Sequence, residues 1–189
     1  MARTESTMLE LETRAPDFTL TDPRTGKTHS RKDFVNRSLL VMFLCNHCPF
    51  VVHVREKLRE VGRAFEERGI SVVAINSNDP ATQPADSPEK MKLENYAFPY
   101  LFDETQSVAR DFHAACTPDF FLFDRHHRLV YRGQLDDSRP GNTSPVTGHD
   151  LVAAAELLLS GATIPPDQKP SMGCNIKWKR GSEPAYFSA

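Results

Sequence analysis

Ser38-Leu39-Leu40-Val41-Met42-Phe43-Leu44-Cys45-Asn46-His47-Cys48-Pro49-Phe50-Val51 is the stretch that decides how this chain folds. Ser38 to Cys45 is a continuous apolar run of strand length, the pattern of a strand buried on both faces. A helix follows. Val51, Val54, Leu58, Val61 and Phe65 recur at helical spacing, while Arg55, Glu56, Arg59, Glu60, Arg63, Glu66 and Glu67 fill the rest. Gly69 stops the helix, and Ile70 to Ile75 reads as a second, β-branched strand. The unit is strand–helix–strand, with a parallel crossover.

Cys45 and Cys48 sit where the strand hands over to the helix. Two cysteines two residues apart in such a place are a redox signature, because a short disulfide can close there. The helix N-terminus offers unpaired N–H groups and a partial positive charge, which favour a thiolate. The thiolate is the nucleophile of disulfide exchange and of peroxide attack. Pro49 suits the first helical position, where no N–H is required, and so puts Cys48 at the N-cap. That makes Cys48 the preferred nucleophile and Cys45 its resolving partner; a shifted helix start would reverse the two. His47, when protonated, would stabilise the neighbouring thiolate; the competing reading is an exposed loop histidine. Two other readings of the pair stand beside the redox one. The cysteines can be small, inert, buried residues, or ligands of a zinc site completed by Cys116, Cys174 or His47. Structural zinc sites usually show a second tight pair, and Cys116 and Cys174 are far apart, so neither a metal nor a cofactor is expected.

Outward from this segment, 189 residues suffice for one well-filled core and are too few for two full domains. Residues 1–13 read as a loose, flexible leader, 14–164 as the domain and 165–189 as an irregular tail that packs on it, carrying Cys174 and the single tryptophan, Trp178. Ala15 to Leu20 opens the domain as a short strand, and turn residues at 22–26 return the chain through Lys27 to His29. Ser87 and Pro88 cap a short helix running to about Tyr96, and Thr105 to His113 forms another. Phe120–Phe123 and Leu129–Tyr131 flank a hairpin in which His126 and His127 face solvent. A polar loop at 133–148 leads into a helix over 150–159 that Gly161 ends. The order predicts an α/β fold with a central sheet between helices.

A net charge of −2 argues against a nucleic-acid binder, and no apolar run reaches membrane-spanning length. The N-terminus has no apolar stretch of the secretory kind, so a cytoplasmic location is expected, where cysteines are thiols or transient redox partners.

Three stretches together resemble the thioredoxin superfamily on its peroxiredoxin-like branch: Ala15-Pro16-Asp17-Phe18-Thr19-Leu20, Leu39 to Pro49, and Cys116-Thr117-Pro118-Asp119-Phe120 continuing to Asp124. Cys45 to Phe50, Gln134 to Pro140 and Pro170 to Lys179 are similar to a peroxiredoxin-like (AhpC/TSA and redoxin-like) thioredoxin family whose reaction is poorly defined. The resemblance implies a thioredoxin-like fold with a mixed sheet and a cis Pro118. It places the Thr117 backbone beside Cys48 or Cys45, ready to pair with an extended partner peptide. Cys116 falls near the site, either as a third redox thiol or as a small buried residue, and Cys174 is a further candidate for bonding to Cys116 or resolving an oxidised Cys48.

Departures from the family patterns matter too. Thioredoxins that act as reductases keep a buried acid on the strand beneath the cysteines, and Ser38 to Leu44 has none. Peroxiredoxins carry Thr or Ser three residues before the peroxidatic cysteine, where this chain has Cys45. The expected function is thiol–disulfide oxidoreduction of a protein disulfide with an external thiol reductant. The alternatives are a thiol peroxidase acting on peroxide and a non-catalytic redox-responsive binding module. Asp136, Asp137 and Arg139 line the rim of the site or form a solvated loop. The oligomeric state is not encoded in any motif.

Overall fold

The computed structural model describes residues 3–187, so Met1, Ala2, Ser188 and Ala189, parts of the expected leader and tail, lie outside the described residues. The strands in chain order are β1 (Arg3–Glu5), β2 (Thr19–Thr21), β3 (Thr28–Ser30), β4 (Ser38–Phe43), β5 (Ile70–Asn76), β6 (Tyr100–Phe102), β7 (Cys116–Thr117), β8 (Asp119–Phe123), β9 (Leu129–Gly133) and β10 (Met172–Asn175). The helices are α1 (Pro49–Glu67), α2 (Pro88–Met91), α3 (Ser107–Asp111) and α4 (His149–Ser160), with short 3-10 turns at Arg31–Phe34 and Pro84–Asp86.

Seven strands form one mixed sheet in the order β3-β2-β6-β5-β4-β8-β9. β4 runs parallel to β5, from Ser38 opposite Ile70 to Phe43 opposite Ile75, and antiparallel to β8. Flanked on both sides, β4 needs apolar residues on both faces, which is what its sequence supplies. Its alternation feeds two cores. Leu40 and Met42 join Val51, Val54, Leu58, Val61 and Phe65 of α1 and Leu151, Ala154 and Ala155 of α4. Leu39, Val41 and Phe43 join Val108, Ala109 and Phe112 on the opposite face. Each large aliphatic or aromatic side chain so buried contributes roughly 1.5–3 kcal/mol relative to exposure.

Several expected boundaries shift. The helix expected from Ser87 to Tyr96 ends at Met91. Tyr96 is instead buried, stacked on Phe98 at 5.0 Å, while Arg24 holds the carbonyls of Tyr96 and Phe98 at 2.7 and 2.6 Å. The helix expected at 105–113 shrinks to Ser107–Asp111, because Gln106 takes a left-handed conformation and its amide donates to the carbonyls of Ser77 and Lys177. His127, expected in solvent, is buried: its Nε2 meets the Phe34 carbonyl and its Nδ1 meets Arg31.

The expected leader and tail both contribute strands. β1, β10 and β7 make a second, three-stranded antiparallel sheet, with β10 in the middle. Trp178 and Ile176 of the tail are buried in the second core. No helix among the described residues is long and apolar enough to cross a membrane.

A candidate thiol site

The strand-to-helix handover forms as expected. Leu44 N–H donates to Ile75 O at 2.9 Å, extending the β4–β5 ladder by one residue, and the chain then leaves the sheet. Cys48 is the N-cap of α1 and Pro49 the first helical residue. The turn between them is pinned by groups distant in sequence. Asp86 Oδ1 accepts from the Asn46 N–H at 2.7 Å, and Asp86 Oδ2 meets His47 Nδ1 at 2.6 Å and Asn78 Nδ2 at 2.7 Å. Arg55 donates to Asn46 O at 2.6 Å, and the Tyr100 hydroxyl donates to Asn46 Oδ1 at 2.9 Å. Asp86 is fully buried, so this network holds its carboxylate in place of water.

Thr117 touches both cysteines. Its Oγ1 lies 3.2 Å from Cys45 Sγ, and its carbonyl accepts the Cys48 S–H at 3.2 Å. The Thr117–Pro118 peptide bond is cis, as the resemblance implied. Cys116 is fully buried with its Sγ toward Pro118 O at 3.6 Å, and burial pushes its thiol up. Cys174 lies in β10 opposite Thr117 and hydrogen-bonds to Cys48.

The thiols titrate in opposite directions. Hydrogen bonds from the Cys174 thiol and then the Cys45 thiol hold Cys48 below the usual thiol range. Burial and the Thr117 carbonyl oppose them, since a thiolate would have to give up that contact. The Val51 N–H in the first turn adds to the lowering without forming a cap hydrogen bond to the sulfur. Burial pushes Cys45 up, reinforced by its hydrogen bond to Cys48 and by the Asp86 charge. Cys174 is raised chiefly by its hydrogen bond to Cys48, then by burial. The arrangement is one thiolate-favouring sulfur between two that keep their protons.

His47 faces Asp86 and is one-fifth exposed, so the ring is tied to the carboxylate instead of hanging in a loop. Cys45 Sγ, a His47 ring nitrogen and an Asp86 oxygen lie within 4.8 Å of one another. Such a sulfur–nitrogen–oxygen set is chemically acceptable to zinc. The same Asp86 oxygens already accept three hydrogen bonds, which a metal would have to break.

Asp136 and Arg139 organise their own loop. Asp136 accepts from the N–H groups of Ser138, Thr147 and Gly148, and these bonds outweigh burial to lower its pKa. Arg139 is spent on the carbonyls of Asp136 and Ser138 and on Gln134 Oε1. Asp137 faces solvent and pairs with Lys169.

Asp86, Asn78 and Tyr100 escape a reading of the sequence. Asp86 sits in a Pro/Asp/Ser loop, and only the fold brings it to residue 47. A second buried acid, Asp119, follows the cis proline. It pairs with Phe43 of β4 but shares the side of β8 that carries Phe121 and Phe123, whereas Phe120 packs with Cys45 and Cys48. Burial pushes Asp119 up to about 8.

The family model described as Redoxin matches residues 10–151. A thiol-disulfide oxidoreductase ResA of Geobacillus kaustophilus is 24% identical over 123 residues, 65% of this chain and 68% of that protein. The crystal structure of an uncharacterized conserved protein from Geobacillus kaustophilus superimposes with a TM-score of 0.93 at 50% identity, covering 96% of this chain and 99% of that one. A putative thiol:disulfide interchange protein DsbE from Chlorobium tepidum gives a TM-score of 0.64 at 20% identity, covering 80% and 99%, a likeness of fold.

Proposed function

The chain belongs to the redoxin family, and from that premise we propose that it is a thiol–disulfide oxidoreductase in which Cys48 attacks and Cys45 resolves. The observation that carries this reading is the polarised row of thiols: Cys48, at the N-cap of α1, accepts hydrogen bonds from two neighbours whose own pKa values are raised. In the cycle, the Cys48 thiolate attacks one sulfur of a partner protein's disulfide, and the partner's other sulfur leaves as a thiolate. Cys45 then attacks Cys48 Sγ, releases the partner's second thiol and closes the Cys45–Cys48 disulfide. An external thiol reductant reopens it.

The proton of Cys45 needs an acceptor. β4 supplies none, but the His47–Asp86 pair lies within 4.8 Å of Cys45 Sγ and is buried on the carboxylate side. His47 is thus assigned to the proton of Cys45 and to holding the turn. The resemblance to the oxidoreductase of Geobacillus kaustophilus supports the same reaction class. A peroxidase is less well supported, since Cys45 stands where a peroxide-activating hydroxyl would be needed.

Turnover of a fluorogenic protein disulfide by the full chain, with Cys45→Ser and Cys48→Ser variants, tests the assignment. Cys48→Ser, which lacks the nucleophile, is expected to abolish turnover, and Cys45→Ser, which lacks the resolving thiol, to lower it. In the wild type, alkylation of Cys48 is expected to persist well below the pH at which an ordinary thiol becomes inert. Unimpaired turnover by Cys48→Ser would refute the assignment. A trapped sulfenic acid at Cys48 without disulfide turnover would instead establish the peroxidase, and partner retention with both cysteines replaced would establish a binding module.

A further inference from the structure

The attacking thiol is closed off by the chain itself. Cys48 has no exposed surface, and Cys45, Cys116 and Cys174 are buried as well. What lies over them is the tail. β10 pairs antiparallel with β7, with Cys174 opposite Thr117 and Asn175 opposite Cys116, and the Ile176 N–H donates to Ala115 O at 3.1 Å. Ser171 Oγ continues the attachment by donating to Pro118 O at 2.6 Å. This is how an extended peptide adds to a strand edge, with main-chain pairing for affinity and side-chain fit for selection.

The fit is selective at two adjacent residues. A Cβ at Gly173 would lie 2.0 Å from Thr117 O and 2.5 Å from Thr117 C, both backbone atoms, so only glycine lets β10 approach this closely. The next residue, Cys174, delivers its sulfur to Cys48. β1 backs the arrangement, with Arg3 opposite Cys174, and the N–H groups of Ser6 and Ser171 bond to Ser171 O and Ser6 Oγ at 2.9 and 2.8 Å.

From this placement we infer that β10 is a resident pseudosubstrate and Cys174 the in-chain exchange partner of Cys48, so that oxidation passes to a Cys48–Cys174 disulfide that fastens the tail over the site. The inference rests on the oxidoreductase reading above. A partner disulfide that displaces β10 first oxidises the Cys45–Cys48 dithiol and is itself reduced to two thiols. Cys174 then loses its proton and attacks Cys48 Sγ. The Cys45–Cys48 bond breaks as the Cys48–Cys174 bond forms, and Cys45 leaves with the electron pair and takes up a proton. This second step is an isomerisation and needs no further oxidant. Reduction of the Cys48–Cys174 bond by an external thiol removes the tether and leaves β10 held on β7 by non-covalent pairing, as in the structure with free thiols, from where a partner peptide with a small residue before its cysteine can displace it.

The test is disulfide mapping of the full chain after equilibration with excess oxidised glutathione and acid quenching, for wild type and Cys45→Ser. The expected result is a Cys48–Cys174 peptide in both proteins, and little glutathione left on Cys48 in the variant. A wild type that holds only Cys45–Cys48, or a Cys45→Ser protein that keeps glutathione on Cys48 without bridging to Cys174, would overturn the inference and leave the oxidoreductase reading standing. If Cys48 enters no disulfide in either protein, the oxidoreductase reading fails and the inference fails with it.

Discussion

Replacing Asp119 by Asn stabilises this protein in a way that grows with pH. The carboxyl is fully buried, and among the described residues its oxygens accept only from the Ala115 N–H at 3.5 Å and the Phe120 N–H at 3.2 Å. Burial therefore dominates and pushes the folded-state pKa from 3.8 up to about 8. In the unfolded chain the group ionises near its ordinary value, so between these two pKa values the folded state binds the extra proton. The sign follows: the wild type keeps its full stability below about pH 4, loses it at about 1.4 kcal/mol per pH unit as pH rises, and levels off above about pH 8. At pH 7 the accumulated cost is about 4 kcal/mol relative to a side chain that cannot ionise. Asn cannot ionise, has nearly the same shape and mimics the neutral acid. With a urea slope of roughly 2 kcal/mol/M, its unfolding midpoint at pH 7 is expected to lie about 2 M above that of the wild type. Urea titrations of both proteins under reductant, from about pH 4 to about pH 9, provide the measurement. Other titrating groups cancel in the difference between the two curves. A difference that stays flat across this range would show that the folded carboxyl ionises normally and would refute the reasoning. Because Asp119 faces away from the core that holds Cys45 and Cys48, thiol turnover should change little in the same variant.

Gly173→Ala puts a methyl group against the Thr117 carbonyl and is expected to lift β10, costing about 1–3 kcal/mol of stability and increasing the alkylation rate of Cys48; an unchanged rate would mean that β10 does not guard the sulfur. Asp86→Asn removes the charged acceptor shared by Asn46, His47 and Asn78, with an expected loss of about 1.5–3 kcal/mol in urea unfolding. It also removes a charge that raises Cys45, so the pH midpoint of Cys45 alkylation should fall, and a rise would contradict the placement of Asp86.

The centre of the fold is legible because its signals are local. The apolar run at 38–45, the helical spacing from Val51 to Phe65 and the proline after Cys48 each act within a few residues, and β4, α1 and β5 form as their patterns require. β10 carries no such signal. Met172-Gly173-Cys174-Asn175 neither alternates nor favours strand, and it becomes one only because β7 and β1 offer edges on both sides. β1, with its charged Arg3-Thr4-Glu5, is a strand for the same reason. At the site, Cys45, Cys48, Thr117 and Pro118 were accessible through spacing and resemblance. The Asp86 network was not, because a loop aspartate gives no hint of a histidine 39 residues earlier in the chain. In the tail, Trp178 is buried in the second core, and no periodicity shows that the tail reaches the thiols.

The middle position of β10 also bears on the order of synthesis. Every other strand of both sheets, and all of α1, precedes residue 134, whereas the strand lying over Cys48 starts at Met172. A chain made from its N-terminus has its Cys45–Cys48 pair well before it has the segment that covers the pair. At roughly 5–20 residues per second, the gap between residues 133 and 175 lasts about 2–8 s. During each round of translation the two cysteines therefore exist for seconds without their cover, an interval in which thiols and disulfides can meet them without first displacing β10.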